Sequence, residues 1–241
     1  MAGAAKVAGA QRFIVTGANR GLGLEFTRQL LARGDRVIAG CRQPARALRL
    51  TEFAAAHPGH LHIVPLDLDK ERSIASFARE ASMISDACDV LINCAGVLVS
   101  GERFGELTAK TFDESLRSNV TGPLLLSQAL APQLAHSVRA KIVNLSSELG
   151  SLADTTHFHT PSYAISKAAL NMVTRLLAAQ LKSAAIAVVS VHPGWVRTDM
   201  GGQSAPLAVA DSVDGVLRVV DALTPEDSGR FFDYRGEELA W

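Results

Sequence analysis

The sequence predicts an α/β fold: a doubly wound parallel sheet of about seven strands, with helices on both faces, in a single domain. Three observations carry this. Short β-rich runs alternate with longer helix-patterned stretches along the chain. The runs are continuously apolar rather than alternating, as strands covered on both faces must be. No repeat, low-complexity tract or linker interrupts the 241 residues, a length suited to one sizeable core.

The elements follow in order. Residues 1–11 read as a flexible lead-in and 12–241 as the domain. RFIVTG (12–17) is the first strand. In the next stretch, GLEFTRQLLARG, residues Leu24, Phe26, Thr27, Leu30 and Leu31 share one helical face and Gly34 supplies the stop. RVIAGC (36–41) and LHIVPL (61–66) are strands around a helix at 45–57. The helix at 71–84 leads into the strand VLINCA (90–95). A long helical pattern over 111–137 precedes the strand KIVNLS (141–146). Another, over 162–183, precedes AVVSVH (187–192), and RFFDY (230–234) closes the sheet.

Composition excludes several classes. With 24 basic and 24 acidic side chains the formal net charge is zero, which leaves no electrostatic footprint for nucleic acid or an anionic membrane. Cys41, Cys88 and Cys94 cannot all pair and form no C-x-x-C motif, so reduced thiols are expected. The opening MAGAAKVAGAQ lacks the apolar core of a signal peptide. No apolar run approaches the ~18 residues of a membrane span. A cytoplasmic protein with a small-molecule partner is expected.

Between the first strand and first helix lies TGANRGLG (16–23). That is the place of a phosphate-binding turn in a Rossmann-like domain. Gly17 permits the tight turn, Gly21 a close backbone approach to a pyrophosphate, and Gly23 close helix packing. The helix N-terminus offers unpaired N–H groups to an anion. The spacing is TGxxxGxG rather than G-x-G-x-x-G. An NAD-selective site carries a carboxylate at the end of the second strand; here Cys41 and Arg42 stand there. Arg42, with Arg20 in the turn, suits a 2′-phosphate, so NADP(H) is the expected cofactor.

In SYAISK, Tyr163 and Lys167 are four apart and share a helical face. A neighbouring ammonium is expected to lower the phenol's pKa toward the range of general acid–base work on an alcohol or ketone. Just upstream, KIVNLSSELG ends a strand in Ser146 and Ser147. Strand carboxyl ends face the ligand crevice, and a serine there can donate to a carbonyl oxygen that gains charge.

Taken together, these stretches resemble the short-chain dehydrogenase/reductase family over almost the whole chain. TGANRGLG matches its TGxxxGxG, NCAG (93–96) its NNAG, YAISK its YxxxK and HPGWVRT its PGxVxT. The pattern is most similar to the C-factor and sniffer-like carbonyl reductase branch. The resemblance implies NADPH-dependent reduction of an aldehyde or ketone by hydride transfer. Tyr163 would be the proton donor, and Lys167 would tune it and hold the nicotinamide ribose. Ser147, rather than Ser146, would orient the carbonyl, and Asn119 would fix a helix kink and a relay water. Gly17, Asn19, Arg20, Gly21, Leu22 and Gly23 would cradle the cofactor, with Arg42 on its phosphate. Asp67 and Leu68 would edge the adenine. Asn93, Ala95 and Gly96 would wall the site, and Pro193, Gly194, Val196 and Thr198 would border the nicotinamide.

Cys94 departs from the family's second asparagine, which puts local hydrogen bonding in doubt. The gap from Ser147 to Tyr163 is longer than usual, and its loop carries His157 and His159, which could touch substrate. A substrate lid is expected near 195–215, with Gly201 and Gly202 as hinges. HPGHLH (57–62) lacks the spacing of a metal site, and no metal is expected. Phe231, Phe232, Tyr234 and Trp241 are expected to close the core. Apolar surface on 111–137 and 161–183 leans toward a homodimer. The alternative reading is a signalling or sensor protein that binds a dinucleotide with little turnover. An NAD-linked alcohol dehydrogenase is opposed by Cys41-Arg42.

Overall fold

Seven parallel strands form one sheet in the computed structural model, which describes residues 9–241. They are β1 (Arg12–Thr16), β2 (Arg36–Cys41), β3 (Leu61–Pro65), β4 (Val90–Asn93), β5 (Lys141–Leu145), β6 (Ala187–His192) and β7 (Phe231–Asp233). Their spatial order is β3-β2-β1-β4-β5-β6-β7. Parallel neighbours need long crossovers. Helices supply most of them: α1 (Gly21–Ala32), α2 (Leu48–Ala56), α3 (Glu71–Ile84), α4 (Ala109–Leu116), α5 (Gly122–Ala135), α6 (Pro161–Gln180) and α7 (Val209–Ala222). The order reverses between β1 and β4, and the loops leaving those two strands diverge there to open a crevice.

Side chains alternate along each strand, so β1 to β6 each feed two cores. Phe13 and Val15 of β1 pack with Leu30 of α1, Leu50 of α2 and Val216 of α7. Ile14 packs on the other face with Phe77 of α3, Leu130 of α5 and Leu170 of α6. In α1 the expected face is buried at Phe26, Thr27, Leu30 and Leu31, while Leu24 is half-buried. Phe231 is buried, with Trp241 stacked on it at 5.4 Å.

Two expected boundaries change. The lead-in up to residue 8 lies outside the described residues, but Gln11 is already part of the fold, its N–H donating to Asp35 Oδ1 at 3.0 Å. The single helix expected over 111–137 starts earlier, at Ala109, where the Thr108 side chain accepts from the Thr111 N–H. It also carries a π-helical turn, Arg117–Thr121, between α4 and α5.

At the N-terminal edge of the sheet, Asp89 ties β1 to β4. Its carboxylate accepts from the Arg12 N–H (2.8 Å), Nε (3.0 Å) and Nη2 (2.8 Å), and from Ser137 Oγ (2.6 Å). Burial alone would raise its pKa. The donors from Arg12 and Ser137 outweigh burial and hold the carboxyl well below its ordinary value.

Candidate active site

Where the β1 and β4 loops diverge, a groove of about 200 Å³ opens along the carboxyl ends of β1 to β4. Its floor is the glycine turn. Gly17 sits at φ +66°, and a Cβ there would lie 2.9 Å from Ala95 Cα. Gly23 is closer still: a Cβ would meet the Gly17 carbonyl oxygen at 2.3 Å. Gly23 therefore packs the helix onto the turn's own backbone rather than onto the sheet. The prediction is direct. Gly23→Ala must open the turn, and overpacking on this scale should weaken dinucleotide binding about tenfold or more in a fluorescence titration.

The start of α1 is suited to an anion. Arg20 occupies its N-cap position with extended backbone, no side chain caps it, and its first turn holds no acid. The orphan N–H groups of a helix start are otherwise satisfied by a cap or a ligand. Thr16 fixes the facing wall, its Oγ1 accepting from both the Cys94 and Ala95 N–H groups at 3.0 Å. That pair of bonds answers the doubt raised by Cys94, because the loop is held through main chain and not through residue 94's side chain.

Most of the expected cofactor residues line this groove: Gly17, Asn19, Arg20, Gly21, Leu22, Gly23, Arg42, Asp67, Leu68, Ala95, Gly96 and Thr198. Four do not. Asn93 is buried, donating to Asn144 Oδ1 (2.8 Å) and Ser127 Oγ (3.2 Å), so it braces β4 against β5 and α5. The Pro193 carbonyl accepts from Ser212, Gly194 packs against Leu207 and Tyr234, and Val196 bridges to Leu207; these three shape the turn behind the groove. Arg20 and Arg42 both reach the wall, but Arg20 Nη1 is committed to Asp199 Oδ2 at 2.8 Å. That pair links the glycine turn to the loop after β6, an arrangement the sequence reading missed. Also missed were Asp69 and Ser118, hydrogen-bonded to each other on the far wall.

The groove ends at a buried polar cluster. A Cβ on Gly96 would sit 3.2 Å from Asn119 Oδ1 and 3.8 Å from Lys167 Nζ. Asn119 lies in the π turn. Its Oδ1 accepts from the Val97 N–H (2.8 Å), and its Nδ2 donates to the Val97 carbonyl (2.8 Å) and Ser166 Oγ (2.9 Å). The kink thus presents an amide that clamps the chain leaving β4. The two serines separate clearly. Ser146 Oγ turns inward to Asn171 Oδ1 at 2.7 Å, whereas Ser147 Oγ accepts from the Leu149 N–H at 3.2 Å and acts on the Tyr163 phenol, lowering its pKa.

Lys167 is buried and donates from Nζ to the Leu145 carbonyl at 2.7 Å. Burial pushes its pKa down to about 8 and pushes the Tyr163 phenol up to about 12, against a smaller lowering by the Ser147 bond. This corrects the expectation that Lys167 brings Tyr163 down. The ammonium is engaged by Leu145 and lies 5.5 Å from the ring centroid, so desolvation wins. Glu102, from the loop after β4, accepts the Ser162 N–H (3.1 Å) and Oγ (2.8 Å), capping the helix that carries Tyr163.

The expected lid is shorter than 195–215. A loop leaves β6 and ends at residue 208, since α7 begins at Val209. Gly201 is no free hinge: a Cβ there would meet the Val196 carbonyl oxygen at 2.1 Å. His157 and His159 are exposed and do not line the groove. Phe158 between them meets Phe104 edge-on at 5.5 Å.

Against known proteins, the family model described as short chain dehydrogenase matches residues 11–206. The chain belongs to the short-chain dehydrogenase family. It is an oxidoreductase of that type, similar to members of the C-signal and sniffer-like branch. C-signal of Myxococcus xanthus is 43% identical over 153 residues, 64% of this chain and 92% of that protein. The carbonyl reductase from chicken fatty liver, solved with NADPH bound, matches at TM-score 0.91 and 38% identity, over 96% of this chain and 99% of that one. The carbonyl reductase Sniffer of D. melanogaster matches at TM-score 0.93 and 32% identity, over 97% and 100%. For this short-chain dehydrogenase, no helix among the described residues is long and apolar enough to cross a membrane.

Proposed function

We propose that this short-chain dehydrogenase is a cytoplasmic NADPH-dependent carbonyl reductase that takes an aldehyde or ketone to the alcohol, with Tyr163 as proton donor. One observation carries the reading: Ser147, Tyr163 and Lys167 gather in a buried cluster behind Gly96, which lines a groove whose floor is an uncapped helix N-terminus.

The groove fits a dinucleotide in its donor chemistry. The free N–H groups of α1 and the glycine turn suit a pyrophosphate, Arg42 suits a 2′-phosphate, and Asp67 and Leu68 suit the adenine end. Lys167 would hold the nicotinamide ribose. When bound, the nicotinamide supplies the hydride. The chain's own groups do the rest. Ser147 Oγ and the Tyr163 hydroxyl polarise the carbonyl oxygen, and burial keeps the phenol protonated at neutral pH, the form a proton donor needs. Asn119, clamped in the π turn, keeps the segment after β4 in place and serves the proton relay. The loop after β6 closes over substrate, and the exposed stripe Ile165, Met172 and Leu176 of α6 supports a homodimer.

The test is a titration with NADPH and NADH, then NADPH absorbance loss with a panel of aldehydes, ketones and quinones. Arg42→Ala is expected to weaken NADPH binding about tenfold or more, the scale of one charge-assisted hydrogen bond, and to leave NADH binding unchanged. Equal loss for both cofactors would remove the 2′-phosphate role. A signalling or sensor reading is favoured by the 43% identity to C-signal. NADPH binding with no turnover above the Tyr163→Phe baseline would establish it instead.

A further inference from the structure

His192, the last residue of β6, takes no part in the chemistry above, yet it touches the turn that carries Ser147. The ladder between β5 and β6 ends with the Ser146 N–H donating to the Val191 carbonyl at 2.8 Å. The Glu148 N–H, two residues on, is taken not by a strand carbonyl but by His192 Nδ1, at 3.2 Å. A side chain thus adds one more rung to the ladder past the end of the sheet. Ser147 lies between the two fixed N–H groups.

The rest of the turn leaves Ser147 little freedom. Its carbonyl accepts from the Gly150 N–H at 2.9 Å, and its Oγ accepts from the Leu149 N–H at 3.2 Å. Gly150 packs tightly on α6, where a Cβ would lie 2.7 Å from the Lys167 carbonyl carbon. Rotating the Glu148 peptide would therefore move Ser147 Oγ away from Tyr163.

The tautomer follows from the partners. A backbone N–H can only donate, so Nδ1 must be unprotonated and the ring proton sits on Nε2. Nε2 lies 3.7 Å from Glu148 Oε2. The other charged group facing the ring is Asp233, paired with His192 across β6 and β7 and itself held by Arg235 Nε at 2.8 Å. Burial lowers the imidazole's pKa, against the opposing pull of Glu148 and Asp233.

We propose that His192 is a positioning residue for Ser147: its neutral Nδ1 holds the Glu148 amide, and protonation of the ring withdraws that support. The inference rests on the reductase reading for its effect on turnover. Below the lowered pKa the imidazolium pairs with Glu148 through Nε2, but Nδ1 becomes a second donor facing an N–H.

Three variants test it. The Oδ1 of His192→Asn can stand where Nδ1 stands and accept from Glu148. His192→Gln reaches past that point, and His192→Ala has no acceptor. Ala and Gln should lower kcat up to about tenfold, the scale of one lost backbone hydrogen bond, with NADPH affinity unchanged. Asn should recover most of that loss and should lack the acid-side fall in kcat that His192 protonation gives the wild type. An Ala variant as active as wild type overturns the proposal, as does an Asn variant that keeps the acid limb. The Glu148 amide resonance, followed against pH by NMR, reads the contact without substrate. It should titrate in the wild type and stay flat in the Asn variant, and a flat wild-type response also overturns the proposal. A wild type that turns over nothing, with a titrating amide, removes the reductase reading while upholding the contact.

Discussion

Tyr163→Phe is expected to lower kcat for carbonyl reduction by about 10²–10⁴-fold, the contribution of a positioned general acid. NADPH affinity should stay at the wild-type value. The substitution removes only the hydroxyl, and the ring keeps its place in the buried cluster beside Lys167 and Ser147. Stopped-flow single turnover, with NADPH saturating, separates the two effects. A fall in kcat with intact cofactor binding supports proton donation by the phenol. Unchanged kcat would place the acid elsewhere and remove Tyr163 from the chemistry.

The second large effect is on stability. Asp89→Ala should destabilise the fold by about 3 kcal/mol, read as a lower urea midpoint at unchanged m. Asp89 is 1% exposed and accepts from Arg12 and Ser137, so its loss strands buried donors. The value falls at the low end of the range for a broken buried pair because Arg12 is 36% exposed and can rehydrate. The sign with pH follows from the depressed carboxyl. Its contribution is complete above the unfolded carboxylate value, ~3.9, and drains as pH falls toward the folded one. In acid the wild type should thus converge on the variant. A gap that persists undiminished at pH 2 would refute the account.

Strand after strand could be read from the chain because burial on both faces leaves an apolar run that needs no context. The glycine turn, Tyr163, Lys167 and Ser147 were legible for a related reason: each sits at a fixed offset from a strand end or within one helical turn. What escaped depends on distant partners. Glu102 caps α6 from 60 residues away, and Asp199 meets Arg20 across 179; neither leaves a local mark. Asn93 looked like a cofactor residue from its motif, but the register that sets it beside Asn144 turns it inward. The pKa of Tyr163 was misjudged because spacing reports a neighbouring charge and is silent on desolvation.

The π turn at Arg117–Thr121 bears on how this chain tolerates changes in length. A π turn closes its hydrogen bonds over one residue more than an α turn. Residues 109–135 are therefore one helical rod whose two halves are out of phase by a single residue, roughly 100° of azimuth. That offset lets α4 pack on α6 while α5 turns Leu126, Leu130 and Leu134 into the core shared with α3. Excising one residue between 117 and 121 would close the turn into a regular α-helix and leave the three leucines facing their partners, because the wider turn is what takes up the extra residue. Length changes are ordinarily absorbed by loops. In this protein a helix takes up one residue, and a deletion there would disturb the Asn119 amide that holds Val97 rather than the leucine core.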